Sequence, residues 1–229
     1  MHTTNSQTRP IAVFSDFDGT IAHPDTINLL AETHGGLEFR RDISQKIASG
    51  KISLREGIAA EVASIQGSLY EVLDFLRQRV KIDKSFPTFA HWCLRQGVPL
   101  TILSAGIKDV IKQLLVPYGL DHIQLLANPL EIIDNRWTLH FLDDTPWGHD
   151  KAASLVQAKS QGYVTAFLGD GLSDTRAADQ ANLVFARGKL AQICQDKQMP
   201  FIPFDDFSEV DVSITRFLME RHGNPPLRY

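Results

Sequence analysis

Three times in this chain a short apolar run stops abruptly at a small polar segment. Ile11–Ser15 ends at Asp16-Phe17-Asp18-Gly19-Thr20, residues 98–103 end at Ser104-Ala105-Gly106, and residues 163–168 end at Gly169-Asp170-Gly171-Leu172-Ser173-Asp174. Apolar runs of this length, rich in β-formers and lacking polar alternation, read as strands buried on both faces. Helical patterning separates them. Strands alternating with helices imply a parallel sheet with right-handed crossovers, and in such sheets ligands sit beyond the carboxyl ends of the strands. All three polar loops therefore belong on one edge.

The longest interruption lies between the first two junctions. There Leu54, Ile58, Val62 and Ile65 share one helical face, and Leu69, Val72, Leu73, Leu76 and Val80 share another. Ser53 with Glu56, and Ser68 with Glu71, fit the reciprocal capping box of a helix start. The expected organisation is an α/β, Rossmann-like parallel-sheet core made of residues 1–21 and 85–229, with a helical cap inserted at 22–84. Residues 130–133 and 136–141 read as a β-hairpin, because Asp134 and Asn135 tolerate the positive φ of a tight turn. It is expected to cover one sheet edge. Helix 151–160 and a strand at 181–187 follow, and the tail from residue 200 carries no recognisable motif.

A chain of 229 residues, 43% of them hydrophobic, can bury a full core. Its net charge of −4 and pI near 6.0 show no basic surplus, and no long Lys/Arg run offers itself to a nucleic-acid backbone. Cys93 and Cys194 lie far apart, outside any zinc spacing, and read as free thiols of a reducing compartment. Residues 1–10 lack the apolar centre of a signal peptide, and no segment is long enough to span a bilayer, so a cytoplasmic location is expected.

Asp16 and Asp18 both face a pocket if the chain turns at Phe17, and Gly19 and Thr20 then offer amides to a bound phosphate. One carboxylate can attack phosphorus while the other moves a proton. Carboxylates crowding a phosphate need a cation between them. Asp170 and Asp174 supply further oxygen ligands, and an all-oxygen set favours Mg²⁺. Ser104, Ala105 and Gly106 are suited to grip phosphoryl oxygens, and Lys151 to neutralise both the phosphate and Asp16. The plainer alternatives are a solvated turn for Asp16 and Asp18, a helix N-terminus for Asp170 and Asp174, a cap for Ser104, and a surface lysine at 151 with Lys159 as rival.

Together these four segments, in this order, resemble the haloacid dehalogenase superfamily of phosphatases. The resemblance implies that Asp16 is the nucleophile and Asp18 the acid/base. It also implies that Ser104 and Lys151 bind phosphate, that Asp170 and Asp174 hold Mg²⁺, and that the helical insert closes over a small phosphorylated metabolite; the expected set adds Gly19, Thr20, Ala105 and Gly106 around the phosphate and Asp16 and Asp18 around the metal. The small cap and the hairpin resemble the branch holding phosphoserine phosphatase and the methionine-salvage phosphatase of 2-hydroxy-3-keto-5-methylthiopentenyl-1-phosphate. Residues 51–57, residues 183–187 and residues 204–207 favour the second substrate. Asp25 stands where serine-specific members carry an acid for the ammonium, yet it can equally cap the helix starting near Thr26. Ala59 occupies the place of their carboxylate-binding arginine. His23, Arg55, Trp147 and His149 are further pocket candidates, and a phosphotransferase or a non-catalytic phosphate-binding regulator remains the alternative of another class.

Overall fold

The computed structural model describes residues 10–221. β1 (Ile11–Ser15) is followed by β2 (Ala22–His23), by α1 (Thr26–His34), α2 (Leu37–Ala48), α3 (Leu54–Ala63) and α4 (Leu69–Arg79), and by β3 (Lys81–Ile82). Then come α5 (Phe86–Gln96), β4 (Leu100–Ile107), α6 (Lys108–Leu115), β5 (Gln124–Asn128), β6 (Leu130–Ile133) and β7 (Arg136–Leu139). The last third holds α7 (Lys151–Ser160), β8 (Val164–Gly169), α8 (Thr175–Gln180), β9 (Leu183–Ala186), α9 (Gly188–Asp196), β10 (Ile202–Pro203) and α10 (Val210–Arg221).

Six strands form one sheet in the order β10-β9-β8-β1-β4-β5, every pair parallel. β1 is buried along its whole length because both faces are covered. Successive residues of a strand point to opposite faces. Accordingly Ile11 and Val13 join one apolar cluster with α5 and α6, while Ala12 and Phe14 join a second with α7, α8 and α9. β1 has β4 on one side and β8 on the other, so the chain reverses its winding direction there and the three polar loops become neighbours.

The insert is helical, and its apolar face is continuous with one side of the core, since Leu30, Val62 and Leu76 share a cluster with Phe86 and Ile102. Both capping boxes form: Glu56 accepts from the Ser53 amide at 2.7 Å and Glu71 from the Ser68 amide at 2.8 Å. β2 and β3 pair antiparallel where the chain leaves and re-enters the core. No helix among the described residues is long and apolar enough to cross a membrane.

Two expectations are corrected. The hairpin turns at Asp134 and Asn135, with φ of 50° and 60°, but its strands form their own two-stranded sheet and do not extend the edge of the main sheet. Trp137, fully buried, donates its indole N–H to the Gly67 carbonyl at 2.9 Å, which fastens the hairpin to the helical insert. Ser104-Ala105-Gly106 lies inside β4, whose pairing to β5 shifts register between Leu103 and Ile107. The strand continues because the Asn128 side chain, at the end of β5, takes up the Ala105 carbonyl at 2.8 Å.

Candidate active site

Asp16 follows β1 directly and keeps its register, its amide donating to the Leu168 carbonyl at 2.9 Å. The chain then winds around the Phe17 carbonyl, which accepts from Ile21 at 2.8 Å and from Ala22 at 2.9 Å, with the Phe17 ring fully buried beneath. Gly19 takes φ of 84°, and a Cβ there would lie 2.3 Å from an Asp170 oxygen. Only glycine lets the first and third loops approach this closely. Asp18 turns the other way, its Oδ1 accepting from the Thr26 amide at 2.7 Å.

Lys151, the first residue of α7 and almost wholly buried, donates to Asp16 Oδ1 at 2.5 Å and to Asp174 Oδ1 at 2.7 Å. The other Asp174 oxygen accepts from the amides of Asp170 and Gly171, each at 3.0 Å, which closes the third loop. Asp16, Asp170 and Asp174 thus present oxygens within 4.8 Å of one another. These three carboxylates face one ammonium, so negative charge is in surplus. Burial and then Asp174 push Asp16 well above the ordinary aspartate range against the pull of Lys151, and the same two causes raise Asp170 to about 6. In Lys151 burial opposes the charge, yet Asp16 and Asp174 overcome it and hold the ammonium protonated. A compact, oxygen-only, electron-rich pocket fits a hard divalent cation such as Mg²⁺.

The Asp18 carboxylate, expected among the metal ligands, stands outside this group. Burial and the neighbouring Asp25 raise it to about 7, so it can carry a proton near neutrality. Ser104 is buried, with its Oγ accepting from the Gly106 amide at 2.9 Å. A Cβ at Gly106 would lie 2.9 Å from Asp18 Oδ2, so a larger residue would crowd the acid.

A cavity of about 430 Å³ opens over these groups, with Asp16, Asp18, Ser104, Ala105, Gly106 and Lys151 on its core side. Gly19 and Thr20, expected to grip phosphate, do not line it: the Thr20 hydroxyl is buried against Asp170 Oδ1 at 3.4 Å. Asp25 both lines the cavity and caps α1, accepting from the Asn28 amide at 2.8 Å. Arg55, His23, Trp147 and His149 lie off it. Arg55 donates to the Asp143 carbonyl at 2.5 Å, His23 faces Arg187, Trp147 has the Arg176 guanidinium over its ring at 5.6 Å, and His149 is buried 3.4 Å from Asp143.

Three contributors, Asn128, Arg40 and Glu61, escaped sequence reasoning, and a fourth, Arg187, entered it only as the last of residues 183–187. Asn128 ties Ala105, Gly148 and, through its oxygen, the Leu142 amide, thereby joining the Ser104 segment to the loop that leads to Lys151. Arg187 reaches from the end of β9 to the carbonyls of Gly19, Thr20 and Asp205 and lies over the Phe204 ring. That clasp joins residues 183–187 to residues 204–207. On the insert, Arg40 and Glu61 line the cavity as an ion pair at 3.2 Å. The cavity therefore has a cation on its cap side although Ala59 has none to offer.

Residues 13–179 match the profile of the haloacid dehalogenase-like hydrolases. The chain is 32% identical to Pdp3-interacting factor 1 of Schizosaccharomyces pombe, over 90% of this chain and 95% of that one. It is 31% identical to the polyol phosphate phosphatase PYP1 of Saccharomyces cerevisiae, over 90% and 93%. Its identity to the 2-hydroxy-3-keto-5-methylthiopentenyl-1-phosphate phosphatase of Brevibacillus brevis is 26%, over 88% and 94%. Among solved structures, a phospho-aspartyl intermediate analogue of phosphoserine phosphatase superposes with a TM-score of 0.69 at 20% identity, covering 90% of this chain and 99% of that one.

Proposed function

This chain belongs to the haloacid dehalogenase-like hydrolase family and is a phosphatase, and from that premise we propose that it hydrolyses a small phosphomonoester through an aspartyl-phosphate on Asp16. The observation that carries this reading is Asp16 itself, buried where β1 ends, ion-paired to Lys151 and grouped with Asp170 and Asp174. Asp16 attacks phosphorus, the bond to the ester oxygen breaks, and Asp18 gives that oxygen its proton. Water then attacks the phosphorus of the acyl phosphate, Asp18 takes the proton back, and inorganic phosphate leaves with Asp16 regenerated. Lys151 holds a positive charge beside the attacking carboxylate throughout, and the Ser104 hydroxyl orients the phosphoryl oxygens. Mg²⁺, held by Asp16, Asp170 and Asp174, would offset the repulsion between carboxylates and phosphate.

Three esters compete for the cavity. The methionine-salvage ester is the one the sequence favours, and the Brevibacillus relative bears its name. A polyol phosphate is supported by the name of the yeast relative at higher identity. Phosphoserine has Asp25 in its favour, but the cap cation, Arg40, is already paired with Glu61. The buried free cysteines suit the reducing cytoplasm. Phosphate release from a panel of the three esters with Mg²⁺ tests the reading. Release at one phosphate per ester consumed, lost with EDTA and in Asp16→Asn, is expected. Ester consumption without phosphate release would point to transfer onto another acceptor, and no consumption at all to a non-catalytic binder.

A further inference from the structure

We propose that Arg40 and Glu61 form a subsite that reads hydroxyl groups on the non-reacting end of the substrate, so that the preferred ester is the phosphate of a neutral, polyhydroxylated carbon chain. The proposal rests on the phosphatase reading above. The two residues come from different helices, α2 and α3, and meet on the cap wall of the cavity whose floor holds Asp16 and Lys151. A group bound with its phosphorus at Asp16 therefore directs its remaining atoms toward them.

The pair is left incomplete by the protein. Arg40 Nε lies 3.2 Å from Glu61 Oε1 but forms an ion pair and no hydrogen bond with it, and Nε has no other acceptor among the described residues. Its Nη1 contacts the Ser44 hydroxyl, which leaves further guanidinium donors free. No described residue donates a hydrogen bond to the Glu61 carboxylate, although Glu61 is only 4% exposed. Burial raises that carboxyl to about 7 against the pull of Arg40. Excluding water from such a pair is costly unless something supplies the missing hydrogen bonds. A vicinal diol does so, one hydroxyl donating to the carboxylate while its neighbour accepts from the guanidinium.

The competing tails fit worse. A carboxylate reaching Arg40 would also meet Glu61, like charge against like, with Asp25 lining the same cavity. A thioether or alkyl tail would cover both groups and satisfy neither, and a site built around hydrogen bonds rejects analogues lacking them by large factors. Ile47, Leu54 and Ile58 also line the cavity and can carry the C–H faces of a polyol chain.

The test compares a five-carbon alditol phosphate with n-pentyl phosphate, phosphoserine and p-nitrophenyl phosphate, all with Mg²⁺. In the native enzyme kcat/KM for the alditol phosphate should exceed that for pentyl phosphate by at least about 100-fold. In Glu61→Gln that ratio should fall at least tenfold. A native ratio near one, a preference for phosphoserine, or a Glu61→Gln variant that slows both esters equally would overturn the subsite. The native comparison decides alone if the variant does not fold. Turnover of p-nitrophenyl phosphate with no alditol preference sinks only the subsite, whereas no phosphate release from any ester sinks the phosphatase reading beneath it.

Discussion

Lys151 stands between two buried carboxylates, which makes it the residue whose loss should show in two independent measurements. Lys151→Met leaves Asp16 and Asp174 without their cation, and removing one partner of a buried pair costs about 3–5 kcal/mol in metal-free protein. Denaturant unfolding should register that loss, and phosphate release should fall by roughly 100-fold or more. Native stability in the variant would mean that the pair is not held as described. Asp18 makes a prediction in pH. Its carboxyl is pushed up to about 7, first by burial and then by Asp25, and in the proposed reaction it gives its proton to the leaving oxygen. kcat/KM should therefore decline as pH rises through that value. Asp25→Asn removes one upward push, so the descending limb should move to lower pH; a limb that stays put contradicts the assignment. The residues of these arguments were legible because each lies in a short local pattern: carboxylates just past an apolar run, and a lysine opening a helix. Arg40 and Glu61 were not, since an arginine or glutamate on a helix looks the same whether it faces solvent or a cavity, and Asn128 and Arg187, at the ends of β5 and β9, act on residues distant in sequence.

Among elements, the strands β1 and β8 and the helices α3 and α4 of the insert were readable from apolar periodicity and caps. β5 and β10 were missed, being short strands in which Gln124 or Pro203 breaks the apolar pattern. The turn of the hairpin followed from Asp134-Asn135, but its destination did not, because the Trp137 to Gly67 bond joins positions that no local pattern connects. The register shift in β4 likewise depends on Asn128, whose side chain serves three backbone groups. Asn128→Ala strands those groups, and about 1–3 kcal/mol of stability should disappear. Activity should fall as well, since the Ser104 segment and the approach to Lys151 share that one side chain. Normal kcat with reduced stability would confine Asn128 to the fold.

At the scale of the whole molecule, the doubly wound sheet brings the loops after β1 and β8 and the end of β4 to one edge, and α2 and α3 of the insert line the same cavity, so the proposed reaction puts phosphate chemistry on the core and substrate choice on the cap. A divalent cation bound by the three carboxylates should stabilise the fold, by about 2.7 kcal/mol at one hundred times its dissociation constant. Mg²⁺ should therefore raise the melting temperature of the native protein and do much less for Asp170→Asn. An equal rise in both would remove Asp170 from the metal site. In the proposed reaction the phosphoryl group passes through Asp16. The most direct test is to quench the enzyme during turnover with Mg²⁺, treat it with borohydride, which reduces an acyl phosphate to the alcohol, and map the peptides. Conversion of Asp16 to homoserine, dependent on substrate and absent from Asp16→Asn, is the expected result; full turnover with Asp16 untouched, or reduction at another carboxylate, would contradict it.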